Sequence, residues 1–201
     1  MTTDSSNVKI CVYGASSAHI SNVYTDDARR LGELIGDEQW GCINGAGATG
    51  LMRAVTDGVL DHQGSVTGVI PQFMVDNGWN YSRLTTTIVT ADMHERKQTM
   101  AQLATAFVAL PGGCGTLEEL MEIFTWIQLG VTSGKPLVVL NTNHYYDHLI
   151  AQIGHAVDEG FMRDSHRNLW LVANTPEEAI AMIKQALAQG PVKVESKYYH
   201  A

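Results

Sequence analysis

The chain predicts a doubly wound α/β fold, a mostly parallel sheet with helices on both faces, and three observations predict it. Short runs of apolar residues recur along the sequence, and none alternates apolar with polar in the manner of a half-exposed strand. Longer stretches with helical periodicity separate them. Glycine-rich stretches fall immediately after strand-like runs, where such folds place their ligand loops.

In order, strands are expected at 8–13, 40–44, 66–71, 85–90, 106–110, 136–141 and 169–173. Helices are expected at 22–36, 50–64, 93–105, 116–130, 145–160 and 175–188. Strands that alternate with helices pair in parallel through right-handed crossovers, which gives a Rossmann-like architecture. The 201 residues read as one domain with a core over about 8–188, leaving the first six residues and the last ten or so as loose ends. That length is enough to bury a core without disulfides or a structural metal. Ligands in such a fold sit at the carboxyl edge of the sheet, so the loops after Tyr13, Asn44, Thr90 and Leu110 carry the interest.

Composition narrows the partners. Thirteen Lys and Arg face twenty-one Asp and Glu, a formal charge of -8, which speaks against nucleic acid and anionic membrane. No apolar run is long enough to span a bilayer, and the start lacks the basic and apolar segments of a secretory signal. Cys11, Cys42 and Cys114 are widely spaced and form no CxxC pair, so reduced thiols and a cytoplasmic location are expected.

The loop after Asn44 contains Gly45, Gly47 and Gly50, a literal GxGxxG between strand and helix. It reads either as a tight turn or as a loop approaching a phosphate or ribose. A dinucleotide is disfavoured, because the next strand ends in Pro71-Gln72 and not in an acid for a ribose diol. After Leu110 comes Pro111-Gly112-Gly113-Cys114-Gly115-Thr116-Leu117-Glu118-Glu119. Glycines at a helix start expose backbone N–H groups, and the helix dipole adds positive potential, which together make an anion site. Thr116 and Glu119 also have capping-box spacing, but Thr175 and Glu178 share it with no glycines before them, so that pattern alone carries no function.

In the loop after Thr90, Asp92 and Glu95 read as caps. Arg96 and Lys97 then lie against the dipole of a helix start unless an anion compensates. If the fourth and fifth strands were neighbours, both cations would reach the glycine loop and face a phosphate or Glu119. His144 and His148 have metal-ligand spacing but no third ligand, so no metal is expected. Cys114 reads as a spacer whose backbone matters more than its sulfur.

These stretches resemble the Lonely-guy (LOG) family of cytokinin-activating phosphoribohydrolases, formerly labelled possible lysine decarboxylases. The run 111–119 matches its P-G-G-x-G-T-x-x-E signature, and 10–17, 45–52, 93–97, 119–130, Lys135-Pro136 and Gly160-Phe161-Met162 also fit. The resemblance implies Arg96 and Glu119 as the catalytic pair. It implies substrate binding by Gly45, Gly47, Met93, Lys97, Gly112, Gly113, Cys114, Gly115, Thr116, Leu117, Glu118 and Thr125. The chain departs from the family at Pro71-Gln72-Phe73, where a Pro-Arg-Glu is common, and lengthens the stretch before Thr85. Asn44, Ala46 and Ala15 stand where glycine is common. These departures spare the phosphate cradle and bear on base selectivity.

The implied reaction is hydrolysis of the N-glycosidic bond of a purine nucleoside 5′-monophosphate, AMP or a cytokinin riboside monophosphate, without a cofactor. Its transition state resembles an oxocarbenium ion, which a carboxylate stabilises. Two other readings stand beside it. Decarboxylation through pyridoxal phosphate would need a Schiff-base lysine, and Lys97 alone lies near the site. A non-catalytic carrier of a nucleotide or molybdenum cofactor would need no catalytic pair. Apolar bulk at Met121, Phe124, Trp126, Ile127 and Leu129 exceeds one core-facing stripe, so a homodimer through this helix is expected.

Overall fold

The computed structural model describes residues 8–132 and 134–190, so the loose ends expected at the termini lie outside the described residues. Its elements follow the expected alternation. They are β1 (Lys9–Tyr13), α1 (Asn22–Asp37), β2 (Gly41–Asn44), α2 (Gly50–Asp61), β3 (Ser65–Pro71), α3 (Gln72–Asp76) and β4 (Thr86–Thr90). Next come α4 (Met93–Leu103), β5 (Ala106–Ala109), α5 (Cys114–Gln128), β6 (Leu137–Leu140), α6 (Asp147–Asp158), β7 (Leu171–Ala173) and α7 (Pro176–Gln189).

The seven strands form one sheet in the order β4-β3-β2-β1-β5-β6-β7, and every neighbouring pair is parallel. Because side chains alternate along a strand, Ile10 and Val12 join Leu31, Val55 and Ile183 beneath α1, α2 and α7. Cys11 and Tyr13 go to the opposite face, with Met100, Phe124 and Ile153 of α4, α5 and α6. Both faces of the inner strands are therefore covered, which is why those strands read as apolar runs, while the edge strand β4 stays largely exposed.

Four local expectations change. The helix expected at 116–130 begins two residues earlier, at Cys114, with Gly113 as its N-cap. Thr116 is thus inside the first turn, and its capping-box spacing with Glu119 serves no cap. The stretch after β3 contains the short helix α3, which was not anticipated. The helix expected from 145 begins at Asp147, behind a 3₁₀ turn whose Asn143 and His144 have positive φ. His144 and His148 therefore do not share one helix face. His144 instead pairs with Asp147 at 3.2 Å, and the described residues contain no cluster of three metal-ligating side chains.

The fourth change concerns the site. β4 and β5 are not neighbours, since β3, β2 and β1 lie between them. The connection β4–α4–β5 carries the chain back across the sheet, so β1 and β5 flank the point where the winding direction reverses. That switch point is where open α/β sheets bind ligands.

Candidate active site

At the switch point the ends of β1 and β5 are stitched together. Leu110 N–H donates to Tyr13 O at 2.8 Å, and Ala15 N–H donates to Pro111 O at 3.1 Å. The chain then enters α5 through Gly113, an extended residue with no side-chain cap. Leu117 N–H returns to Gly113 O at 3.0 Å, whereas the N–H groups of Gly113, Cys114, Gly115 and Thr116 have no acceptor among the described residues. Such orphan donors at a helix start favour an anion. A Cβ at Gly113 or Gly115 would meet nothing within 4 Å, so packing within the chain does not demand glycine at either position. Their absent side chains keep the cradle open.

The cradle is held from behind. The Tyr145 hydroxyl donates to Gly112 O at 2.7 Å, and the Tyr146 hydroxyl donates to Leu110 O at 2.6 Å. In a trans peptide the carbonyl and the following N–H point in opposite directions. Tying Gly112 O back to Tyr145 therefore turns the Gly113 N–H outward, toward the cradle.

Helix α4 delivers the cations. Asp92 caps it, accepting from His94 N–H and Glu95 N–H at 2.8 Å each, and the Glu95 carboxylate accepts from Ala91 N–H at 2.7 Å. Both caps are as expected. One turn in, Arg96 donates through Nε to Val69 O at 3.0 Å and through Nη1 to Glu119 Oε1 at 2.8 Å. Both side chains are buried, 7% and 12% exposed, so this is no solvated surface pair. Gly45 makes room for it, because a Cβ there would lie 2.0 Å from Arg96 Nη2. The GxGxxG glycine thus serves a close approach of side chain to backbone.

Lys97 pairs with Glu118 and, at 3.1 Å, with Glu122. The anions that compensate these two cations are carboxylates of α5, and their arrival explains basic residues near a helix start. Burial pulls the Lys97 ammonium down, but its two carboxylate partners together outweigh that, and the net shift is upward. A lysine held charged in this way is a poor Schiff-base nucleophile. Burial raises the Glu119 carboxyl above its ordinary value, against the opposing charge of Arg96.

The remaining expected residues are less uniform. Met93 opens α4, half-buried, and Cys114 opens α5 as an exposed thiol. Leu117 packs against the core. Thr125 lies toward the far end of α5, and its hydroxyl donates to Met121 O at 2.7 Å within its own helix. Gly47 faces a separate cavity of about 500 Å³ that also reaches Arg96. Sequence reasoning missed Glu122, Tyr145, Tyr146 and the cavity walls. Glu122 had a signal, standing four residues after Glu118 on the same helix face. The tyrosines had none, because their targets are backbone carbonyls more than thirty residues away.

A parallel sheet with open helix-start N–H donors at its switch point, beside a paired Arg96 and Glu119, defines a Rossmann-like protein with a candidate anion site. Comparison with known proteins makes the class specific. The family model described as "Possible lysine decarboxylase" matches residues 52–183. The cytokinin riboside 5′-monophosphate phosphoribohydrolase LOG5 of Arabidopsis thaliana is 37% identical over 176 residues, 88% of this chain and 77% of that protein. LOG1 of the same plant is 36% identical over 197 residues, 98% and 92% of the two chains. The chain belongs to this LOG family. Among solved structures, the molybdenum cofactor carrier protein of Chlamydomonas reinhardtii superposes with a TM-score of 0.70 at 25% identity, over 90% of this chain and 99% of that one.

Proposed function

We propose that the protein is a phosphoribohydrolase of the LOG type that hydrolyses the N-glycosidic bond of a purine nucleoside 5′-monophosphate, AMP or a cytokinin riboside monophosphate. The observation that carries this reading is the 2.8 Å Arg96–Glu119 pair, buried beside a helix start with open N–H donors. The N–H groups at 113–116 hold the 5′-phosphate and so place the ribose over the pair. As the bond from C1′ to the base nitrogen breaks, positive charge develops on the sugar, and the Glu119 carboxylate stabilises it. The same carboxylate orients a water that adds to C1′ and supplies the proton the departing base takes. Arg96 keeps Glu119 in place, and Lys97 with Glu118 and Glu122 braces the neighbouring turn. The products are the free base and ribose 5-phosphate. The work is done in the cytoplasm by a single Rossmann-like unit of each chain, without metal or cofactor. Among the described residues no helix is long and apolar enough to cross a membrane.

Chromatography after incubation with AMP and with adenosine tests the reading. AMP should release adenine, and adenosine should react slower by about two orders of magnitude or more, because a bound non-reacting phosphate positions the sugar. Comparable rates would remove the phosphate cradle from the mechanism. The likeness to the Chlamydomonas carrier favours a second reading, a carrier of a nucleotide or molybdenum cofactor, which predicts binding with no base release. The protein acts as a homodimer through the α5 region, where Leu129 and Val131 are 42% and 65% exposed. Light scattering that finds an active monomer would refute this assembly.

A further inference from the structure

Ala46 has a φ of +62°, the left-handed conformation, at a position where the family commonly has glycine. Among the described residues four others that are not glycine have positive φ, Gln39, Gln63, Asn143 and His144, and all four carry polar side chains. Ala46 has only a methyl group. In the left-handed conformation that methyl crowds the following carbonyl oxygen, so the residue must be held from outside.

Asn44 supplies the hold. It ends β2 and is buried, and its Oδ1 accepts from Ala46 N–H at 2.9 Å, the turn by which asparagine bonds the backbone two residues on. Its Nδ2 donates to Thr56 Oγ1 of α2 at 2.9 Å, and the Thr56 hydroxyl in turn donates to Met52 O at 2.9 Å. Tyr81 N–H donates to Ala46 O at 2.9 Å, so both backbone groups of residue 46 are tied. The space around it matches. A Cβ on Gly68, the β3 residue paired with Asn44, would lie 2.7 Å from the Ala46 Cβ.

What this turn supports is Arg96. Its Nε donates to Val69 O of β3, its Nη1 donates to Glu119, and its Nη2 lies against Gly45, the residue between Asn44 and Ala46. Gly45 is thus one side of the slot that holds the guanidinium. Should φ at residue 46 change sign, the chain there would change direction. With β2 in the sheet and α2 in the core, the adjustment would fall on Gly45 and Gly47.

We propose that Asn44 is a positioning residue for the reaction. It locks Ala46 in the left-handed conformation, which fixes Gly45 against Arg96 and keeps the guanidinium aimed at Glu119, a task that glycine at 46 would perform unaided. The inference rests on the phosphoribohydrolase reading and deepens it. Glu119 faces Arg96 and Lys97 of α4, Glu118 of its own helix, and Tyr13 and Cys11 of β1. Burial raises its carboxyl and Arg96 is the largest opposing influence, so an Arg96 that drifts leaves Glu119 protonated to higher pH.

The test is a double-mutant cycle of Asn44→Ala, Ala46→Gly and the two together, read as kcat and KM for base release from AMP across pH, with a thermal melt of each variant. In Asn44→Ala kcat should fall by about tenfold, since a misplacement of about 1 Å can cost about a hundredfold. KM should hardly move, because the phosphate donors at 113–116 belong to another element. The acid limb of the kcat profile should shift to higher pH. Ala46→Gly alone should stay near the wild type. The double variant should recover both kcat and the acid limb, because glycine takes either sign of φ without steric cost. Removing a further methyl group would restore nothing if Asn44 only filled space. If Asn44→Ala does not fold alone, Asn44→Ser, whose hydroxyl bonds the same N–H more weakly, takes its place in the cycle. A wild-type kcat and acid limb in the Asn44 variant, or a double variant no better than it, would overturn the inference and leave the phosphoribohydrolase reading intact. Failure of the wild type to release base from AMP or from a cytokinin riboside monophosphate would overturn that reading, and this inference with it.

Discussion

Two helix starts in this chain carry the same four-residue pattern, Thr-x-x-Glu, and meet opposite fates. At α7, Thr175 Oγ1 accepts from Glu178 N–H at 3.2 Å, and the Glu178 carboxylate accepts from Asn174 N–H at 2.8 Å. The helix satisfies its own donors with its own side chains. At α5 the helix begins at Cys114, so Thr116 falls inside the first turn and Glu119 turns to Arg96. Its donors stay open, and the turn is held by tyrosines of the β6–α6 connection. The difference is which residue is the N-cap, Thr175 itself at α7 but Gly113, three residues before Thr116, at α5. With Gly113 as N-cap the helix starts ahead of Thr116, so neither threonine nor glutamate caps it.

The largest expected effect separates the two glutamates. Glu119→Gln keeps a hydrogen-bond acceptor for Arg96 but removes the negative charge, so turnover should fall by about two orders of magnitude or more. Removing one partner of a buried ion pair also costs about 3–5 kcal/mol in general, so a thermal melt must accompany the rate. Glu178→Gln should leave the rate unchanged. A folded, fully active Glu119→Gln protein would take the catalytic role away from Glu119.

A smaller effect is expected from Tyr145→Phe, which removes the bond to Gly112 O and leaves the ring against Tyr24 and Tyr146. The loosened Gly113 N–H should raise KM for AMP by about fivefold, the worth of one ordinary hydrogen bond, with kcat less affected. Steady-state kinetics would check it. Equal losses in kcat with KM unmoved would place Tyr145 outside phosphate binding. The smallest effect belongs to the self-capped helix. Thr175→Ala should cost about 1 kcal/mol, a fall of about 2–4 °C in the melting temperature for a chain of this size. Its kcat/KM should stay at the wild-type value, and any loss of rate would mean that the two helix starts are coupled.

How much of this was legible beforehand depended on the range of the interactions. The five inner strands were readable because parallel strands buried on both faces must be largely apolar, and the largely exposed edge strand β4 was readable from its β-branched residues. Their ends were not, since Trp40, Thr85 and Pro136 continue the apolar or β-branched pattern while only hydrogen-bond partners decide where pairing stops. The short α3 was missed because five residues carry too little periodicity to register. Arg96 and Glu119 were legible as candidates through the signature residues around them. That Arg96 could face Glu119 was legible too, but through adjacent strands, and the structure makes the contact by another route, a crossover past three strands.

By itself, then, the sequence determined the alternation of strand and helix, the handedness of the crossovers, and the glycine loop that leaves donors open at a helix start. Each is a matter of local pattern and chirality, and a chain carries those in any window of its residues. Only the tertiary structure decided which carboxylates answer Arg96 and Lys97, which tyrosines turn the cradle outward, and which residues wall the cavity beside Gly45. Those depend on a crossover that brings α4 back over three strands to meet α5. Contacts between residues twenty to forty positions apart have no period to read; they exist once the sheet has set where each helix lies.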